Sequence, residues 1–138
     1  MTLLDRLIAL TLPLVPKPIV RKVSSRYIAG ETPADALRVA ENLNARGIRA
    51  TMDILGEDIH QIEQARRAQD AYMQLLAEIH RRKVDANVSI KLSQFGLKLD
   101  KTVCVELIDG LVRHARELNN FVRIDMEDSS CTSDTLMP

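Results

Sequence analysis

Residues 121–130 read FVRIDMEDSS, and this stretch decides how the rest of the chain is understood. It opens as a strand, since Val122, Ile124 and Met126 fall on one face and Arg123 and Asp125 on the other when side chains alternate. It then runs into carboxylates at Asp125, Glu127 and Asp128. Strands buried in an open parallel sheet read as near-continuous apolar runs, because helices cover both faces. One charged face on such a strand fits a barrel better. Its apolar side chains then meet the outer helices, and the polar set lines the interior.

Two upstream stretches repeat the pattern. In IRATMDIL (48–55), Ile48, Ala50, Met52 and Ile54 oppose Arg49, Thr51 and Asp53. In NVSIKL (87–92), Val88, Ile90 and Leu92 oppose Ser89 and Lys91. Helical segments separate them. ETPADALRVAENLNARG (31–47) has Thr32 as N-cap, Pro33 at the first helical position, Asp35 near the third and Gly47 as the stop. A long helix is expected over about residues 58–82. Another is expected over about 101–118, with Val103, Leu107, Leu111 and Val112 on one side.

The order helix, β, α, β, α, β predicts parallel βαβ units. The expected fold class is therefore α/β: a partial (β/α)8 TIM-like barrel, with N-terminal helices over 1–46 and the first βα units over 47–138. A whole barrel takes about 200 residues or more, so a chain of 138 residues is expected to stop before closure. Its parallel edge would be exposed to aggregation.

Composition narrows the function. Lys+Arg and Asp+Glu each number 19, and that zero net charge argues against nucleic acid as a partner. The basic run Arg81-Arg82-Lys83 reads as a solvated helix C-terminus. Cys104 and Cys131 are too few for a disulfide framework and lack metal-ligand spacing, which points to a reducing, cytoplasmic setting. His60, His80 and His114 are expected in helices as surface or satisfied residues, so no metal is implied. The apolar run Leu7–Val15 is too short for a bilayer, which takes ~20 residues. It lacks the flanks of a signal peptide and reads as a packed or interfacial helix ended by Pro13, Pro16 and Pro18.

Barrel chemistry sits at the C-terminal strand ends. Here those ends bring Asp53 and Glu57, Lys91, and Asp125, Glu127 and Asp128 to one rim. A lysine within a strand is costly unless it is paired or meets an anion. Lys91 could pair with Asp125 or Asp53 as an interior salt bridge, form a Schiff base as in aldolase-like barrels, or bind an anionic substrate. A fragment that pairs its sheet edge with another polypeptide is the non-catalytic alternative.

RYIAGET (26–32), DILGE (53–57), SIKLSQFG (89–96) and RIDMEDS (123–129) resemble, in order and spacing, the N-terminal part of the proline dehydrogenase family of the bacterial monofunctional type. The likeness runs from about Val20 to Leu136. It implies an FAD-dependent distorted barrel that oxidises L-proline to 1-pyrroline-5-carboxylate by hydride transfer from proline C5 to flavin N5, with a membrane quinone as acceptor. By the resemblance, Lys91 pairs with the proline carboxylate and Asp125 sits beside the ring nitrogen. Met126 contacts the flavin, and Glu57 holds a substrate-binding arginine from later in the family sequence. Glu127, Asp128 and Ser129 support the site, and Asp53 stabilises the interior. The later strands, with most flavin contacts and the arginines that clamp proline, are expected to be missing, as in a truncated or split enzyme or a gene prediction cut short, with a separate C-terminal half as a candidate partner. Little activity is expected of the chain alone. The N-terminal helix is expected to pack on the barrel, with peripheral contact at the inner membrane face as the alternative.

Overall fold

In the computed structural model the described residues are 29, 30, 32–56 and 59–127. The apolar N-terminal run, Glu57, Asp128, Ser129 and Cys131 lie outside them. The chain divides into two compact units, Met1–Ala36 and Leu37–Pro138.

Helix α1 (Pro33–Asn44) starts as its sequence directs. Thr32 Oγ1 accepts from the Asp35 amide at 3.2 Å and donates to Asp35 Oδ2 at 2.7 Å. Gly47, at φ +74°, ends the turn that follows. Strand β1 (Ala50–Met52) is shorter than the alternation over 48–55. Both of its ends are drawn away from the ladder. The Ile48 amide bonds back to the Leu43 carbonyl at 3.0 Å, and beyond the strand the Ile54 amide donates to the Tyr72 hydroxyl at 3.0 Å.

Helix α2 (Ile62–Arg82) begins four residues later than expected. Its cap is Gln61, with the Gln64 side chain accepting from the amides of His60 at 2.8 Å and Gln61 at 2.9 Å. His60 therefore precedes the helix. Ala65, Tyr72, Leu75, Leu76 and Ile79 form the buried stripe of α2. Arg81 and Arg82 end it against Glu78, and Lys83 caps it in the left-handed conformation at φ +57°. The basic run is a helix end, as the sequence implied.

Strand β2 (Ala86–Lys91) leads directly into a 3-10 helix, Leu92–Phe95. Helix α3 (Lys101–Glu117) is capped by Asp100, whose Oδ1 accepts from the amides of Thr102 at 2.9 Å and Val103 at 3.1 Å. Its buried stripe is Cys104, Leu107, Leu111 and Ala115, while Val112 turns to solvent. Strand β3 (Val122–Asp125) closes the series.

The three strands form one parallel sheet in the order β1-β2-β3. Helices α2 and α3 pack on each other, and Val88 and Ile90 of β2 are fully buried with Leu76, Ile79, Leu111 and Phe95. Fully burying an aliphatic side chain of this kind is worth about 1.5–3 kcal/mol. The opposite face of β2 carries Asn87, Ser89 and Lys91. Alternation thus divides an apolar, helix-facing side from a polar side, as in a barrel wall. Strand β3 is less covered: Ile124 remains 44% exposed although it lies on the apolar side. The architecture is one arc of a (β/α)8 barrel. No helix among the described residues is long and apolar enough to cross a membrane.

Candidate active site

The parallel register sets which strand-end residues are neighbours. Met52 pairs with Val88 and Val88 with Val122, so the C-terminal ends of the strands rise together. The last rung of the β2–β3 ladder is Lys91 opposite Asp125. Adjacent strands run about 4.8 Å apart and paired residues project to the same face, so Lys91 and Asp125 leave the sheet on the same side at the rim. Lys91 is half-buried and Asp125 exposed. Met126 follows Asp125 in the chain, just past the end of β3, at 49% exposure.

Two residues beyond this rung, side chains take over from the ladder. The Glu127 carboxylate accepts from the Ser93 amide at 2.9 Å and from the Ser93 hydroxyl at 2.5 Å. Strand β3 is thereby tied to the 3-10 helix that follows Lys91. The next residue, Gln94, is buried and reaches the other way, donating from Nε2 to the Ile54 carbonyl at 2.9 Å. Gly56 has φ +144°, and a Cβ there would lie 3.3 Å from Gln94 Nε2, so the turn after β1 needs glycine.

Asp53 takes no place on this rung. Its Oδ1 accepts from the Tyr72 hydroxyl at 2.8 Å, with the Ser89 carbonyl oxygen 3.0 Å from the same hydroxyl. Tyr72 is fully buried and stacks obliquely on Phe95, with ring centroids 5.8 Å apart. Burial raises the Tyr72 phenol well above its ordinary range; the Ile54 amide acts against that, and the Asp53 carboxylate adds to it. The hydroxyl therefore stays protonated and links the ends of β1 and β2.

The structure thus brings Lys91, Asp125, Met126 and Glu127 to one rim and leaves Asp53 exposed, its carboxylate taken by the Tyr72 hydroxyl. Glu57 lies outside the described residues. Tyr72, Ser93 and Gln94 were not singled out in the sequence. An aromatic at a core position of a helix reads as packing, and Ser93 meets a partner 34 positions further along the chain. The available signal was the parity of the two motifs: Ser93 follows Lys91 by two residues, as Glu127 follows Asp125.

A depression of about 390 Å³ opens at the opposite, N-terminal strand ends, where Arg49, Asp85 and Arg123 are among the lining residues. None of the rim residues borders it. Its clearest polar feature is the exposed Arg49–Asp85 pair at 3.0 Å. Among the described residues, this depression and the charge constellation therefore fall at opposite ends of the strands. The constellation is the better guide, because barrel chemistry sits at the C-terminal strand ends and the depression lies at the N-terminal ones.

Comparison with known proteins bears on that choice. The proline dehydrogenase family model matches residues 36–137. "Proline dehydrogenase 1" of Bacillus subtilis subsp. natto is 30% identical over 111 residues, 80% of this chain and 37% of the relative's length. The proline dehydrogenase of Deinococcus radiodurans is 28% identical over 117 residues, 83% of this chain and 38% of its own. The chain therefore spans less than two-fifths of the curated relatives it matches. Among solved structures, proline utilization A from Bdellovibrio bacteriovorus, inactivated by N-propargylglycine, superposes with a TM-score of 0.77 at 23% identity, over 87% of this chain and 15% of that one. With a family match across most of its length and a barrel arc of the same fold, the chain belongs to the proline dehydrogenase family.

Proposed function

We propose that this chain supplies the substrate-facing rim of an FAD-dependent proline dehydrogenase, which oxidises L-proline to 1-pyrroline-5-carboxylate and passes the electrons to a quinone. The observation that carries the reading is the last β2–β3 rung, with Lys91 and Asp125 as direct register partners. Proline is a zwitterion whose ring nitrogen and carboxylate share one carbon. A fixed cation and anion on adjacent strands offer it the reverse polarity over a matching span. Lys91 Nζ pairs with the substrate carboxylate, which counts for more in a rim sheltered from water than in bulk solvent. The Asp125 carboxylate accepts from the ring N–H and orients the amine.

The residues present fit one edge of a flavin. Met126 presents an exposed, polarizable apolar side chain directly after Asp125, suited to a flat ring. FAD, when bound, supplies the hydride acceptor for proline C5. Glu127 holds the end of β3 in place for both neighbours. Glu57 is proposed to hold a substrate-binding arginine from the later strands.

Quinone as acceptor, and contact with the inner membrane face to reach it, rest on the family resemblance. An eight-stranded barrel takes five strands beyond the three described, and the proposed partner is that remainder, in the same polypeptide or another. The test is an FAD titration of the barrel-complete protein, meaning this chain together with the remaining strands, followed by flavin fluorescence. Saturable binding weakened by Met126→Ala is expected. No saturable binding would end the flavoenzyme reading.

A further inference from the structure

We infer that Ser93 is a positioning residue for proline oxidation: with Glu127 it forms a side-chain rung that holds Lys91 and Asp125 in register. The inference rests on the functional reading above and adds to it a residue and a device.

The backbone ladder between β2 and β3 ends at Lys91 and Asp125. Beyond that point β2 winds into the 3-10 helix Leu92–Phe95, and β3 is no longer a strand. Among the described residues, no backbone hydrogen bond beyond that rung ties the two strand ends together. At the next position where side chains would again face one another, Ser93 and Glu127 meet. Two donors of Ser93, amide and hydroxyl, enter a single carboxylate. The contact also satisfies an amide in the first turn of the 3-10 helix, which has no partner within that helix.

Strand β3 needs this contact more than β2 does. Arg123, Ile124 and Asp125 are all exposed, so little burial anchors the strand. On the β1 side the corresponding job is shared by Tyr72 and Gln94. On the β3 side the direct link between the two strand-exit segments is the Ser93–Glu127 pair. Because Ser93 and Gln94 are consecutive, one short turn spaces all three strand ends. A loosened rung would separate the Lys91 ammonium from the Asp125 carboxylate while leaving the core intact, since both latch residues are only partly buried.

Two measurements test this. Amide hydrogen exchange of the barrel-complete protein reads the rung without any turnover. Ser93→Ala and Glu127→Gln should each speed exchange of the C-terminal β3 amides that bond to β2 roughly tenfold, the size of one lost hydrogen bond to a charged group, with the buried β2 residues Val88 and Ile90 unchanged. Steady-state kinetics of the flavin-loaded, barrel-complete protein reads the consequence. Ser93→Ala should lower kcat/KM for proline roughly tenfold, mostly through KM. Ser93→Thr, which keeps the hydroxyl, should restore it.

Unchanged exchange, or a kcat/KM untouched by Ser93→Ala while Lys91→Met loses it, would overturn the latch and leave the site reading standing. Failure of Ser93→Thr to restore activity would overturn it as well. If Lys91→Met also left kcat/KM untouched, the site reading itself would fall, and the positioning role with it.

Discussion

Tyr72 joins more of the rim than any residue that touches the proposed substrate. Its hydroxyl accepts from the Ile54 amide, donates to Asp53 and lies against the Ser89 carbonyl. Tyr72→Phe keeps the ring packing on Phe95 but leaves the half-buried Ile54 amide without that acceptor. A loss of about 1–2 kcal/mol is expected in urea unfolding. The buried groups also set an alkaline limit. Burial pushes the Cys104 thiol from 9.0 up to about 11, so the folded state favours the neutral thiol. That contribution is complete below pH 9 and is lost as pH rises toward 11. Stability measured across this window should therefore fall, and Cys104→Ala should make the fall shallower. Lys91 and Asp125 were legible from the sequence because alternation alone puts a charged residue on the polar face of each strand. Tyr72 and Ser93 were not, because their roles exist only through contacts between elements far apart in the chain.

Elements were legible where the sequence carries its own stop signals. Thr32 and Gly47 do so, and α1 begins and ends beside them. The start of α2 carries none, since glutamine is an uncommon cap and works here through the reciprocal Gln61–Gln64 bonds. The apolar side of α3 was read as Val103, Leu107, Leu111 and Val112, but Cys104 and Ala115 complete the buried stripe instead. Small side chains there allow the helix to approach its neighbours closely. Gly110 marks the same closeness, because a Cβ on it would lie 2.8 Å from Gln69 Nε2. At the other end of α2, Lys83 holds a left-handed backbone at φ +57° that glycine adopts without steric cost. Lys83→Gly is therefore expected to raise stability by about 0.5–1 kcal/mol, read as a higher urea midpoint at unchanged slope.

At the scale of the molecule, the sheet has a covered centre and a bare flank. Val88 and Ile90 are fully buried, whereas Phe121, Ile124 and Met126 along β3 are 57%, 44% and 49% exposed. An exposed apolar strand edge invites pairing with other chains. The 138-residue chain alone is therefore expected to self-associate in light scattering, less so as Ile124→Lys, and co-expression of the remaining barrel strands should suppress it. The arc of barrel could be read from strand alternation before any coordinates, because a wet inner face and a dry outer face leave a period-two trace. Barrel closure could not, because it depends on strands beyond those described.

The central claim is that the Lys91–Asp125 rung binds proline as a zwitterion. Proline-dependent bleaching of the flavin band in the barrel-complete protein, compared between the wild type and Lys91→Met, tests it most directly. Loss of one ion pair with the substrate carboxylate should raise the proline concentration needed for half-maximal reduction by at least about tenfold. Half-maximal reduction at the same proline concentration in both proteins would contradict it.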